Sequence, residues 1–222
     1  KHSAIEKLNQ KDRDYVLEIG KKTWDFFETY LTKENNYLIP DNYQEDRKEE
    51  TVARTSSTNI GLSLLAVISA YDLKYITFEK AIELLKNILD SVESLQKWNG
   101  HLYNWYQIQT KEPLVPRYIS TVDSGNFVGY LYVVKSFLDE RISIDRKYNN
   151  ESENEIETLN GLLEKVTKLI NDTDFSYLYS QEEQIFSIGF NIEDNKLTNS
   201  YYDLLASEAR QASLVAIAKK DV

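Results

Sequence analysis

The chain has 222 residues and a formal net charge of −10, from 36 acidic and 26 basic side chains. That length suffices for one domain with a real core, and the acidity disfavours a nucleic-acid backbone or an anionic lipid surface as partner. With no cysteine, and only His2 and His101 as histidines, disulfides, thiol chemistry and a histidine-rich metal centre are excluded, so no metal or cofactor is expected.

Apolar periodicity predicts helices of two alternating kinds. Residues 12–32 form an amphipathic segment with Tyr15, Val16, Ile19, Phe26, Phe27 and Tyr30 on one side. Residues 58–73 are apolar almost all round, through Ile60, Leu62, Leu64, Leu65, Val67 and Ile68. Segment 77–97 is amphipathic again, and 122–138 returns to the apolar kind with Phe127, Val128, Leu131, Val133 and Val134. Segment 151–171 spaces Ile156, Leu159, Leu163, Val166 and Ile170 by threes and fours. Residues 175–179 and 184–191 are short, aromatic and alternating around a polar turn, which predicts a β-hairpin near 175–191. An apolar helix over 201–218 closes the series. Helices apolar on every face are buried on every face, and amphipathic ones keep a wet side. Alternating outer and inner helices is what an α/α barrel requires. Three such pairs make an all-α half of an (α/α)6 toroid, although a helical solenoid would give a similar pattern.

The unusual polar motifs sit where the inner helices begin. Asp41-Asn42-Tyr43-Gln44-Glu45-Asp46 and Arg54-Thr55-Ser56-Ser57-Thr58-Asn59 precede or open the first. Asn104-Trp105-Tyr106 and the run from Pro116 to Asn126 lead into the second, and Asn199-Ser200-Tyr201-Tyr202-Asp203 into the third. In an alternating toroid the inner helices run the same way, so these clusters should meet at one rim. The excess of aromatic side chains, 16 Tyr, 8 Phe and 3 Trp, suits sugars, whose C–H faces stack on rings, though Phe26, Phe27 and Phe137 read as helix packing. Ser120 with Asp123, and Ser200 with Asp203, fit capping boxes. Arg54 and Arg117 suit either carboxylate partners or sugar hydroxyls. Glu208 lies in an otherwise apolar helix, where an ionised carboxylate is costly without a partner. It suits either a glycosidic acid/base or an ion pair with Arg54 or Arg117.

At these motifs the chain resembles the glycoamylase-like, glucan-handling domain of cyclic β-1,2-glucan synthases. The matching stretches are residues 39–46, 54–62, 116–126, 186–190 and 200–221, spread over most of the sequence. The resemblance implies the N-terminal half of an (α/α)6 domain in a large bacterial enzyme associated with the inner membrane, with this soluble segment on the cytoplasmic side. Residues 1–222 would then be one partial domain, a segment of a longer chain, as the absence of an initial methionine also suggests. It implies anomer-retaining transglycosylation of linear β-1,2-glucan, with cyclisation when the acceptor is the chain's own end. Glu208 looks like the acid/base, while Asp123, Arg117, Tyr118, Trp105, Arg54, Tyr202 and Asp203 would line sugar subsites. The family's second glutamate belongs to a motif beyond residue 222, so the segment alone should not turn over. Its partners would be the glucan, the rest of the parent chain, and a second copy through exposed half-barrel faces. The rival readings are an endo-β-1,2-glucanase and a helical module that only binds or positions.

Overall fold

In the computed structural model the described residues are 8–48, 51–148, 153–202 and 207–222. Six α-helices alternate between outer and inner positions: α1 (Gln10–Tyr30), α2 (Ser57–Asp72), α3 (Phe78–Ser94), α4 (Thr121–Tyr148), α5 (Glu153–Asp172) and α6 (Arg210–Lys219). Local chemistry starts several of them. Asn9, Ser56 and Thr77 each accept, through the side chain, an N–H of the first turn of α1, α2 and α3. The C-terminus of α3 is closed by Lys97, whose ammonium donates to the carbonyls of Val92 (2.6 Å), Leu95 (3.1 Å) and Glu93 (3.3 Å).

The inner helix α4 is the hub, packing on α2, α5 and α6, while α2 also packs on α3. Leu64, Val67, Leu85, Ile88, Leu89, Val128, Leu131, Val134, Leu159 and Val166 are buried between these helices. Gly125 lets α4 and α6 approach backbone to backbone: a Cβ there would stand 2.5 Å from the Cα of Ala212.

The connections into the inner helices carry short strands. β1 (Arg54–Thr55) precedes α2; β2 (Lys97–Trp98), β3 (His101–Leu102), β4 (Tyr106–Gln107) and β5 (Tyr118–Ser120) precede α4. β6 (Tyr179–Ser180), β7 (Ile185–Phe186), β8 (Gly189–Asn191) and β9 (Lys196–Leu197) precede α6. All pairings are antiparallel: β1 with β4, β2 with β3, β6 with β7, and β8 with both β5 and β9. Arg54 lies opposite Gln107 and Tyr118 opposite Asn191, so the three connections are laced to one another at one end of the helices.

Three expectations need correction. The predicted hairpin is real but shorter: Phe175–Leu178 form a 3₁₀ turn, the hairpin within 175–191 consists of β6 and β7, and residues 189–191 leave to join β5 and β9. The last inner helix does not begin at 201. Tyr201 bridges to Ser187 in extended backbone, a 3₁₀ turn occupies Ser207–Ala209, and α6 starts at Arg210. The apolar side of α1 is largely uncovered, with Tyr15, Val16 and Ile19 exposed and Trp24 alone of its residues buried. No helix among the described residues is long and apolar enough to cross a membrane.

Candidate functional site

The laced end carries a connected set of polar side chains centred on two carboxylates. Asp41 receives Asn59 Nδ2 from the first turn of α2 (3.2 Å), Arg54 Nη2 from β1 (3.1 Å) and Asn42 Nδ2 (3.2 Å). Asp123, in the first turn of α4, receives the Thr58 hydroxyl from α2 (2.5 Å). The Asn104 amide, oriented to satisfy both its neighbours, donates to the other Asp123 oxygen (3.2 Å) and accepts from Trp105 Nε1 (3.0 Å). The Arg54 guanidinium lies 3.9 Å above the Trp105 ring, a cation–π contact that closes the circuit between the carboxylates. Since Thr58 and Asn59 are sequence neighbours, the set forms a ring around the starts of α2 and α4.

The other expected residues flank this ring. The Tyr118 hydroxyl shares a hydrogen bond with Thr198 (3.0 Å), and burial pushes its pKa up. Tyr202 is half-buried and anchored by its N–H to the Phe186 carbonyl. Its phenol pKa is pushed up by burial first, and then by the charges of Glu208, Tyr118 and Asp123. Burial and the Asp123 charge likewise raise Tyr130 on α4. Arg117 points elsewhere: its Nε and its backbone N–H both donate to Glu193 (3.0 and 3.2 Å) at a half-exposed position. Asp203 lies outside the described residues.

Glu208 requires a further correction. It belongs to the 3₁₀ turn that leads into α6 and is exposed, so the cost of burying a carboxylate inside an apolar helix does not apply to it. Arg54 and Arg117 are engaged by Asp41 and Glu193, so neither makes the ion pair weighed for Glu208. Ser120 does cap α4, accepting from the Asp123 N–H (3.2 Å). Asp41, Thr58, Asn59 and Asn104 lie within the polar motifs but carry no individual sequence signal for a role. Among the described residues no cluster of His, Cys, Asp and Glu could hold a metal ion.

Behind the ring, His101 is fully buried. Its Nδ1 meets Ser124 Oγ (2.9 Å), next to Asp123, and its Nε2 meets the Asp174 carbonyl (2.8 Å). Burial pushes its pKa down to about 4. The neutral ring therefore donates from Nε2 to the carbonyl and accepts at Nδ1 from the serine.

No family model matches the chain. Cyclic β-(1,2)-glucan synthase NdvB of Rhizobium meliloti is 28% identical in an alignment of 326 residues that takes in 97% of this chain. The chain resembles a cyclic β-1,2-glucan synthase along nearly its whole length. It spans only 12% of that enzyme.

Solved structures share the fold. An endo-β-1,2-glucanase from Chitinophaga pinensis, in complex with sophorotriose and glucose, superposes over 93% of this chain with a TM-score of 0.68 at 16% identity. A β-1,2-glucanase from Parabacteroides distasonis superposes over 97% with a TM-score of 0.70 at 11% identity. An endo-β-1,2-glucanase mutant from Talaromyces funiculosus, in complex with β-1,2-glucan, gives 0.53 over 90% at 11% identity. The chain covers 47%, 28% and 48% of those proteins, respectively. The expected architecture, three helix pairs forming half of a glucoamylase-like (α/α)6 barrel, therefore holds.

Proposed function

We propose that this chain is half of a β-1,2-glucan-handling domain whose parent enzyme performs anomer-retaining transglycosylation of linear β-1,2-glucan, closing a ring when the acceptor is the chain's own end. The observation that carries the reading is the 28% identity to a cyclic β-(1,2)-glucan synthase over 97% of the chain. Glu208 acts as acid/base. It protonates the departing glycosidic oxygen and then takes the proton of the acceptor hydroxyl, while a second carboxylate roughly 5–5.5 Å away forms the glycosyl intermediate. That second group comes from the rest of the parent chain, so the isolated segment does not turn over. Asp123, Arg54, Trp105, Tyr118, Tyr202, Asp203 and Arg117 contribute to subsites, Arg117 after exchanging Glu193 for sugar hydroxyls. The uncovered faces of α1 and α6 receive the remainder of the domain or a second copy of this half. The parent works on the cytoplasmic face of a membrane.

A second reading has its own support. The solved relatives named above are β-1,2-glucanases, which favours release of linear products to water. Product analysis of the complete domain on linear β-1,2-glucan separates the two, with cyclic product expected. Only linear products would transfer the assignment to hydrolysis. Glu208→Gln should abolish turnover, and full activity in that variant would remove Glu208 from the chemistry.

A further inference from the structure

We infer that Thr58 is a positioning residue: its hydroxyl fixes the orientation of the Asp123 carboxylate at the rim, and Asn126 fixes the direction of that hydroxyl. This deepens, and rests on, the glucan-binding reading of the rim.

A threonine hydroxyl has one proton and two lone pairs. Asn126 Nδ2 donates to Thr58 Oγ1 (3.2 Å) and so occupies a lone pair, because an amide nitrogen cannot accept. The Thr58 proton is thereby left to point at Asp123 Oδ1 (2.5 Å). The second carboxylate oxygen is held by the same device. Trp105 Nε1 donates to the Asn104 oxygen, so the amide nitrogen of Asn104 is what faces Asp123 Oδ2. Each donor to Asp123 is thus itself oriented by another donor, and neither can reverse without leaving two like groups face to face.

A carboxylate in the first turn of a helix would otherwise sample several rotamers. Thr58 reaches it from α2, 65 residues earlier, and Asn126 returns the bond from α4, 68 residues away. The bond is more than a clamp between α2 and α4, which already bury Ile60, Leu64, Val67, Val128 and Leu131. The Asp123 charge is also felt by the phenols of Tyr130 and Tyr202.

The test is calorimetric titration of the protein with linear β-1,2-glucooligosaccharides, using wild type, Thr58→Val, Thr58→Ser, Asp123→Ala and the Thr58→Val/Asp123→Ala pair. Valine keeps the shape of threonine and removes the hydroxyl. Thr58→Val should weaken binding roughly tenfold or more, the scale of a lost hydrogen bond to a charged group. The pair should bind no worse than Asp123→Ala alone, and Thr58→Ser should stay within about threefold of wild type. Wild-type affinity in Thr58→Val, or additive losses in the pair, overturns the proposal and leaves the glucan reading intact. Absence of binding by wild type overturns that reading for this chain instead. Crystal structures of Thr58→Val and Thr58→Ser, which need no sugar, then decide the positioning role. An Asp123 side chain displaced in the valine variant and retained in the serine variant supports it, and one unmoved by valine refutes it.

Discussion

Replacing His101 by glutamine should remove a specific acid sensitivity from the fold. The imidazole is fully buried, accepts from Ser124 and donates to the Asp174 carbonyl. Burial is the main reason its pKa falls from 6.5 to about 4. The Asp174 carbonyl opposes that fall, as do the Asp174 and Asp221 charges, and Lys219 adds to it. Because the folded value lies below the unfolded one, the unfolded chain takes up the proton first as pH drops. The stability that comes from a neutral His101 is complete above about pH 6.5 and drains away between there and about 4. The full difference is worth about 3 kcal/mol, of which about 2 kcal/mol falls between pH 7 and pH 5. Glutamine can reach both partners but does not titrate. Urea unfolding followed by tryptophan fluorescence at pH 7, 6 and 5 should show wild type losing about 2 kcal/mol more than His101→Gln over that interval. His2 and the surface carboxylates are common to both proteins and cancel. Equal losses in the two would mean that His101 binds a proton as readily in the folded state as in the unfolded one, and the argument from burial would fail.

Gly125→Ala should destabilise the protein by about 1–3 kcal/mol in the same assay, because the new methyl meets backbone atoms of Ala212 that cannot move aside alone. Lys219→Met should cost about 3 kcal/mol: the ammonium is almost buried, donates to the Thr173 carbonyl and pairs with Asp221 (2.9 Å), which would be left without its cation. Lys165→Ala, which removes ion pairs from α5 to Asp90 and Glu93 on α3, should cost no more than about 1 kcal/mol. Its effect should shrink further in about 1 M salt, where exposed charges are screened within about 3 Å, and an undiminished effect would show that packing of the lysine stem is responsible.

The helices were legible because burial imposes a period on the sequence. The apolar run at 58–73 and the amphipathic one at 77–97 locate α2 and α3 to within a few residues of their ends. The run at 122–138 finds α4 but stops ten residues early, since the stretch to Tyr148 is charged at most positions. Periodicity failed at Tyr201 and at Ser207–Ala209 for a different reason: the sequence looks continuous with α6, yet Tyr201 is held in a bridge to Ser187, and no local pattern reports a partner 14 residues away. The buried setting expected for Glu208 depended on that continuity and fell with it. Amphipathicity in α1 identified Tyr15, Val16 and Ile19 as a face that seeks cover, but a pattern cannot say whether this chain supplies the cover. At the rim, composition pointed to the motifs that carry the polar ring. It could not pair Thr58 with Asp123, or Asp41 with Asn59, because those bonds depend on which helices become neighbours.

The half-ring has two free ends of unequal character. On α6, Leu214 and Ile217 are 69% and 63% exposed beside a groove of about 750 Å³ that Gly129, Tyr132 and Val215 help to line. On the other side, Leu62 and Leu73 border a groove floored by Trp24 and Phe27. Two such seams, differing in the residues that line them, fit a head-to-tail contact better than a face pairing with itself. Anything that fills them would bind the folded chain and not the unfolded one, so its melting temperature should climb with protein concentration or with added complementary half.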